Sequence, residues 1–369
     1  MEATELDSSK TYTLDTVQST CTYKDGSTID NLNISYDSET GNLTITPFTN
    51  KGTKCTLYFE EYNPTVGDTI LANYPTQLTR NDFSTTVTNT TTGTIYYADT
   101  SKGRTYYFAG NPTDNWVQFG GFYWRIIRIN EDGTLRLIYH GTSVNIVAES
   151  TQIGISAFNS IVYDNMYVGY MYTSRQVHGY GTDSTIKGVL DTWYRNNLAS
   201  YASSIDGNMG FCGDRTPSTS STSSNGSGGI GTTTTYYGGY IRLTKSNNVN
   251  PTFNCSDEDL YTTSGSSQGN KALQYPIGLI TADEVVYAGL AWNLSNSSNY
   301  LYTNTSQNYW TMSPSHYSGG AYVFVVGADG GLYDILLINT NGVRPVINLK
   351  ANVTISSGNG TSSNPYVIS

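Results

Sequence analysis

The residues with which chemistry could begin are few: His140, His178 and His316, four cysteines, and the acidic group Asp214, Asp257, Glu258 and Asp259. His316 stands among Ser313, Ser315 and Ser318, which invites a serine nucleophile with a histidine base. Neighbours on one loop rarely form such a pair, because base and nucleophile approach each other from separate elements, and no strained G-x-S-x-G elbow is expected anywhere in the chain. His140 ends a strand beside Gly141 and His178 sits in a polar loop, so packing or solvation is expected of both. No C-x-x-C pair occurs, and with three histidines a Cys/His zinc site is not expected. The four acids could gather a calcium ion, which needs an oxygen cluster, but their spacing matches no known cage; a solvated turn is the simpler reading, and no metal or cofactor is expected.

Composition points the same way. The 369 residues carry 29 acidic and 19 basic side chains, a net charge of -10, which argues against nucleic acid as a partner. Only 13% of residues are charged, whereas there are 32 tyrosines, a polar-aromatic balance closer to a binding surface than to an enzyme. Cys21, Cys55, Cys212 and Cys255 allow three pairings, which sequence leaves open; their grouping favours Cys21 with Cys55 and Cys212 with Cys255, and an oxidising compartment. No run of eighteen apolar residues exists, so no direct membrane insertion is expected, and Met1-Glu-Ala-Thr reads either as an artificial start or as the trimmed edge of a longer precursor with an export signal and anchor.

The elements that must position these groups begin with alternating segments at Thr11–Asp15, Leu32–Tyr36, Gly41–Thr46 and Cys55–Phe59, broken by Lys24-Asp-Gly26, Asp37–Gly41 and Asn50-Lys-Gly52. Residues 1–61 therefore read as a small all-β, immunoglobulin-like sandwich acting as a stalk. Pro64, Gly67, Pro75 and an uncharged Ser/Thr stretch make residues 62–94 a connector. Next comes a meander through Thr105–Phe108, Val117–Phe119, Gly121–Ile129 and Thr134–Tyr139, with Trp124 and Ile126 facing inward and Arg125 and Arg128 outward. A helix is expected over Ser184–Tyr201, capped by Ser184 or Thr185, with Ile186, Leu190, Trp193 and Tyr201 on one face. A second opens at the capping box Thr281-Ala-Asp-Glu284. Pro217–Gly231 is a low-complexity loop, and residues 351–369 read as a flexible tail ending in a Pro365-Tyr-Val-Ile strand.

The last fifth of the chain holds two stiff brackets, Asn308-Tyr-Trp-Thr-Met-Ser-Pro314 and Asn341-Gly-Val-Arg-Pro-Val-Ile-Asn-Leu349. Between them run a loop, the strand Ala321–Val326, a Gly-rich turn and the strand Leu332–Ile338. The pattern W-x-x-S-P…G-V-R-P, together with Asn111-Pro-Thr-Asp-Asn-Trp116, Phe119–Arg128 and Thr192-Trp-Tyr194, resembles C-type-lectin-like domains of the formylglycine-generating-enzyme type. It is most similar to secreted proteins of gut Firmicutes and to the variable proteins of diversity-generating retroelements. The resemblance covers roughly residues 95–350 and implies an α+β, C-type-lectin-like ligand-binding domain with a variable segment at 310–349.

That resemblance does not carry enzyme activity here, because neither Cys212 nor Cys255 lies in the C-terminal bracket, and the Tyr309–Met312 strand lacks the carboxylate of calcium-dependent lectins. In the variable proteins, adenine-directed mutagenesis of Asn-type codons never yields Lys, Glu, Gln, Met or Trp; all five are absent from Ser315 to Gly342. By correspondence, Trp310, Ser313, Pro314, Gly342, Arg344 and Pro345 are scaffold. Ser315, His316, Tyr317, Tyr322, Val325, Gly327, Ala328, Asp329, Gly331, Tyr333, Asp334, Leu336, Ile338, Asn339 and Asn341 fall at displayed, ligand-binding positions. Alternation makes Val325, Leu336 and Ile338 candidates for ordinary core, and His316, Tyr317, Tyr333 and Asp334 the strongest contacts. The expected function is a secreted or cell-surface bacterial adhesin, not an enzyme, that binds a protein or glycan on another cell. The alternative is a pilus or surface-layer subunit that uses the same face for assembly.

Overall fold

The computed structural model describes residues 6–7, 10–38, 40–47, 52–89, 91–144, 148–219, 228–245 and 248–369. The expected precursor edge at residues 1–4, part of the turn at 50–52 and most of the low-complexity loop lie outside them. The chain divides into two units, Met1–Pro64 and Thr65–Ser369.

In the first unit, strand β1 (Tyr12–Tyr23), β2 (Asn33–Asp37), β3 (Asn42–Thr46) and β4 (Thr53–Glu61) form two antiparallel pairs, β1 with β4 and β2 with β3. All four expected strands are present. The immunoglobulin-like arrangement is not: Cys21 and Cys55 are directly opposite partners on β1 and β4, so their disulfide joins neighbours in one sheet rather than two facing sheets.

In the second unit the segment read as a connector holds helix α1 (Val66–Leu71) and strand β5 (Thr76–Leu78). Thr65 and Asp68 form a capping box, and Val66 and Ile70 are buried in the core, so the unit begins some thirty residues before Ile95. Then follow β6 (Thr94–Thr100), β7 (Gly103–Tyr107), β8 (Trp116–Phe119), β9 (Phe122–Ile129) and β10 (Leu135–Gly141). Aromatic and β-branched residues dominate β9, which pairs with β7, β8 and β10. Both of its faces are covered, which corrects the outward placement of Arg125 and Arg128: they are 5% and 8% exposed. Arg125 donates to Asn115 Oδ1 at 2.6 Å and to Pro112 O at 2.7 Å.

Six two-residue strands follow: β11 (Ile155–Ser156), β12 (Met171–Tyr172), β13 (Thr182–Asp183), β14 (Phe211–Cys212), β15 (Thr235–Tyr236) and β16 (Leu260–Tyr261). Between them lie α2 (Thr185–Asn197), with Ser184 as N-cap, and α3 (Gly238–Leu243). Ile186 and Leu190 of α2 are fully buried, but Tyr201, past the helix end, is 39% exposed. Helix α4 (Ala282–Tyr287) carries the expected capping box of Thr281 and Glu284. The bracketed region gives β17 (Tyr309–Tyr317), β18 (Ala321–Val326), β19 (Leu332–Leu336), β20 (Asn341–Gly342) and β21 (Val346–Leu349), and the chain closes with β22 (Ile355–Ser357) and β23 (Tyr366–Ile368).

Two larger sheets organise these strands. One has the order β22-β23-β8-β9-β7-β6-β5, with β10 on β9 and β21 on β10; the other runs β11-β20-β17-β18-β19, with β15 on β17. The expected tail strand exists, yet the segment is not a free tail: β23 pairs in parallel with β8, and Tyr366 is 2% exposed. The unit is thus a strand-rich α+β structure with a single large apolar core against which both sheets pack. Among the described residues no helix is long and apolar enough to cross a membrane.

Candidate ligand-binding face

The two brackets are buried and do what a frame requires. Trp310 is fully enclosed and donates its indole N–H to Ser156 O at 2.8 Å, tying β17 to β11. Ser313 Oγ accepts from Ala282 N at 2.9 Å, fixing the start of α4, while Pro314 interrupts the ladder on β17. Arg344, 0% exposed, donates to Tyr139 O at 3.2 and 3.0 Å and to Leu301 O at 3.1 Å, and its guanidinium lies 4.8 Å from the Tyr309 ring centre. Pro345 O accepts from Tyr139 N, and Gly342 N donates to Asn308 O at 2.8 Å.

Inside the frame, a bulge decides which side chains share a face. Pro314 pairs with Val323 and His316 with Tyr322, so Ser315 is the extra residue and turns toward the side that His316 occupies. The His316 ring stacks on Tyr322, with centroids 4.4 Å apart and planes at 8°, and on Tyr236 of β15 at 5.6 Å and 17°. Tyr240 of α3 meets its edge at 5.3 Å, and Trp292 lies 6.4 Å beyond Tyr240. Asp334 Oδ2 sits 3.0 Å from His316 Nδ1 and accepts from Ser315 Oγ at 2.5 Å. Leu336 pairs with Tyr322 at the margin of the same face.

This is a Ser/His/Asp cluster, but not one arranged for acyl transfer. A nucleophilic hydroxyl must address one imidazole nitrogen while the carboxylate holds the other. Here Ser315 lies 3.2 Å from Nδ1, on the carboxylate's side of the ring, and its proton goes to Asp334. What the cluster offers is a stack of three rings, Tyr236, His316 and Tyr322, beside one carboxylate, a polar-aromatic surface suited to ligand contact.

Apart from Ser315 and Leu336, the remaining displayed positions do not join that platform. Tyr333 pairs with Val325, on the reverse of the sheet from Asp334, and its hydroxyl donates to Asp329 at 2.8 Å across the turn that contains Gly327, Ala328 and Gly331. Ser315, Tyr317, Val325, Gly327, Gly331 and Asn341 are buried, which corrects their expected display. Tyr317 is 3% exposed and its hydroxyl donates to Tyr163 O at 3.1 Å, and Val325 is a core residue opposite Trp310. Leu336 is half-buried, Ile338 and Asn339 are exposed past the end of β19, and Ala328 and Asp329 form the turn.

No family model, no curated protein and no solved structure matches this chain. The site is therefore argued from its own geometry. Tyr236, Tyr240 and Trp292 were not among the expected contacts; the aromatic, glycine-spaced run Tyr236-Tyr-Gly-Gly-Tyr240 was the available signal.

The other candidate groups are dispersed. Both disulfides pair as their grouping favoured, Cys21–Cys55 and Cys212–Cys255. Asp259 accepts from Thr216 Oγ1 at 2.9 Å and faces His178 Nδ1 at 2.9 Å, and that hydrogen bond raises the His178 pKa above its ordinary value. Asp214 instead binds Arg242 at 2.7 Å, beside Asp283; burial pushes its carboxyl up to about 7. His140 is buried with its ring edge-on to Trp116. Gly265-Ser-Ser-Gln-Gly269 has the spacing of a nucleophile elbow, but it is a turn with no helix after it, and Ser267 Oγ donates to Asn208 Oδ1 at 2.9 Å.

Proposed function

We propose that the chain is a secreted or surface-displayed binding protein of the adhesin or receptor type, whose C-terminal C-type-lectin-like strands present the ligand-contacting face. The observation that carries this reading is the platform of Tyr236, Tyr240, His316, Tyr322 and Asp334 on strands framed by buried brackets. Rigid tyrosines give large contact area at small entropic cost, and a carboxylate among them adds directional specificity. Apolar exposure lies next to this platform: Ala321 N donates to Val162 O, between Ile161 at 43% exposure and Tyr163 at 73%, and Ile338 is 44% exposed. Two disulfides are consistent with an oxidising, extracellular setting. Retroelement diversification belongs to the same proposal, narrowed to the codons whose side chains reach the surface.

The partner is a protein or glycan on another cell, bound without a cofactor. The test is a titration of fluorescently labelled full chain against bacterial and epithelial cells and an array of glycans, with mass measured in dilute solution alongside. Saturable binding by a monomer supports the reading. Self-association as the sole detectable interaction overturns it in favour of an assembly subunit.

A further inference from the structure

Away from the aromatic platform, a cavity of about 60 Å³ lies between β9, β10, the start of α4 and the segment ending at the Cys212–Cys255 disulfide. A water needs roughly 10–15 Å³ of such space, so the cavity admits a few waters or one small ligand group. Two of the arginines lining it are engaged. Arg136 pairs with Glu284 and donates to Gly210 O at 3.0 Å, while Arg242 binds Asp214 at 2.7 Å and Asp283 at 2.8 Å.

Arg128 is engaged less fully. It is 8% exposed, and its enclosed Nε has no hydrogen-bond partner among the described residues. The nearest carboxylate oxygen, Glu284 Oε1, is 3.9 Å away and already belongs to Arg136. Below the guanidinium, at 4.7 Å, is the ring of Phe253, itself stacked on Tyr287 at 3.8 Å and located two residues from the disulfide. An enclosed Nε without a partner is costly, and the same guanidinium carries further donors in a rigid fork. A guanidinium stacked over an aromatic ring and lining an open volume can receive a two-oxygen acceptor.

We propose that this cavity binds a small carboxylate, held by the two-pronged edge of Arg128. A monoanion is favoured over a phosphate dianion because Asp214, Asp283, Glu284 and Glu131 also line the cavity and repel a second negative charge.

The test is calorimetric titration of the full chain, at matched ionic strength, with sodium acetate, inorganic phosphate, and an N-acetylated dipeptide as free acid and as amide. Wild type should bind acetate saturably. Arg128→Lys should weaken this about tenfold and Arg128→Gln should abolish it, while Arg104→Gln, which alters an exposed ion pair with Asp99, leaves it unchanged. Tighter binding of the dipeptide acid than of acetate, lost in the amide, identifies a chain-terminal carboxylate as the source; equal binding of both acids identifies a free small molecule. Absence of saturable acetate binding by wild type, tighter binding of phosphate, or undiminished binding by Arg128→Lys overturns the proposal. The wild-type isotherms decide the matter even if Arg128→Gln fails to fold.

Discussion

His316 and Tyr322 lie face to face, directly opposite on β17 and β18, with ring centroids 4.4 Å apart and 8° between planes. This stack orients the imidazole, and Asp334 engages its Nδ1, so Nε2 is the ring's remaining polar atom for a ligand. A side chain held by two aromatic neighbours and a carboxylate loses little freedom on binding, which favours affinity through pre-organisation.

Gly330, in the turn joining β18 to β19, is fixed by its backbone conformation and its close neighbour. Gly330 has φ +80°, and a Cβ there would stand 2.3 Å from Asn296 O. Gly330→Ala should lower stability by about 2–4 kcal/mol, read from the urea midpoint, whereas Gly319→Ala, at φ +73° with open space around it, should cost about 1 kcal/mol.

Arg344 is the keystone of the second bracket because it ties β10 and the Leu301 segment to one buried guanidinium. A lysine keeps the charge but cannot span the same carbonyls, so Arg344→Lys should destabilise by about 2–4 kcal/mol in chemical unfolding.

The Cys212–Cys255 bridge closes a loop with a sequence separation of 43 residues. By loop-closure entropy its removal in Cys212→Ser/Cys255→Ser should cost about 4 kcal/mol, with a lower calorimetric transition for the second unit. The cavity-facing Phe253 should also become more accessible, visible as faster amide exchange over residues 250–255.

Legibility in the sequence followed the range of the interactions. Capping boxes, hairpin turns and the Trp310 and Arg344 brackets are local patterns, and they led to the helices at Thr185 and Ala282 and to the order of the last strands. The family correspondence that puts Ser315 on display does not show the bulge that buries it, and Arg125 and Arg128 read as outward because nothing in β9 itself shows that its second face is covered. Tyr236 and Tyr240 reach the platform from a segment some eighty residues away, a proximity that only the β15–β17 pairing creates. Residues 62–94 read as a connector because Pro64, Gly67 and Pro75 punctuate the stretch, whereas the capping pair Thr65 and Asp68 starts a helix whose partners lie far off in sequence.

His178 gives a pH signature. Its hydrogen bond to Asp259 raises its pKa above the ordinary 6.5, so the pair's stabilising effect is fully present below that value and is lost as pH rises through the higher folded one. The stability difference between wild type and His178→Gln should therefore be largest in mild acid and shrink above neutrality, as followed by unfolding midpoints across pH.

The central claim is that one face of β17–β19 makes the contact. Its most direct measurement is a comparison of cell-surface binding by wild type, by His316→Ala/Tyr322→Ala/Asp334→Ala on the platform, and by Asp329→Ala/Tyr333→Ala on the reverse, each first verified as folded by circular dichroism. The platform variant should lose about a hundredfold or more in affinity, as expected when several anchors of one site are removed, while the reverse-face variant should stay within about threefold of wild type. Equal binding by the platform variant and wild type, or a loss confined to the reverse-face variant, would contradict the account.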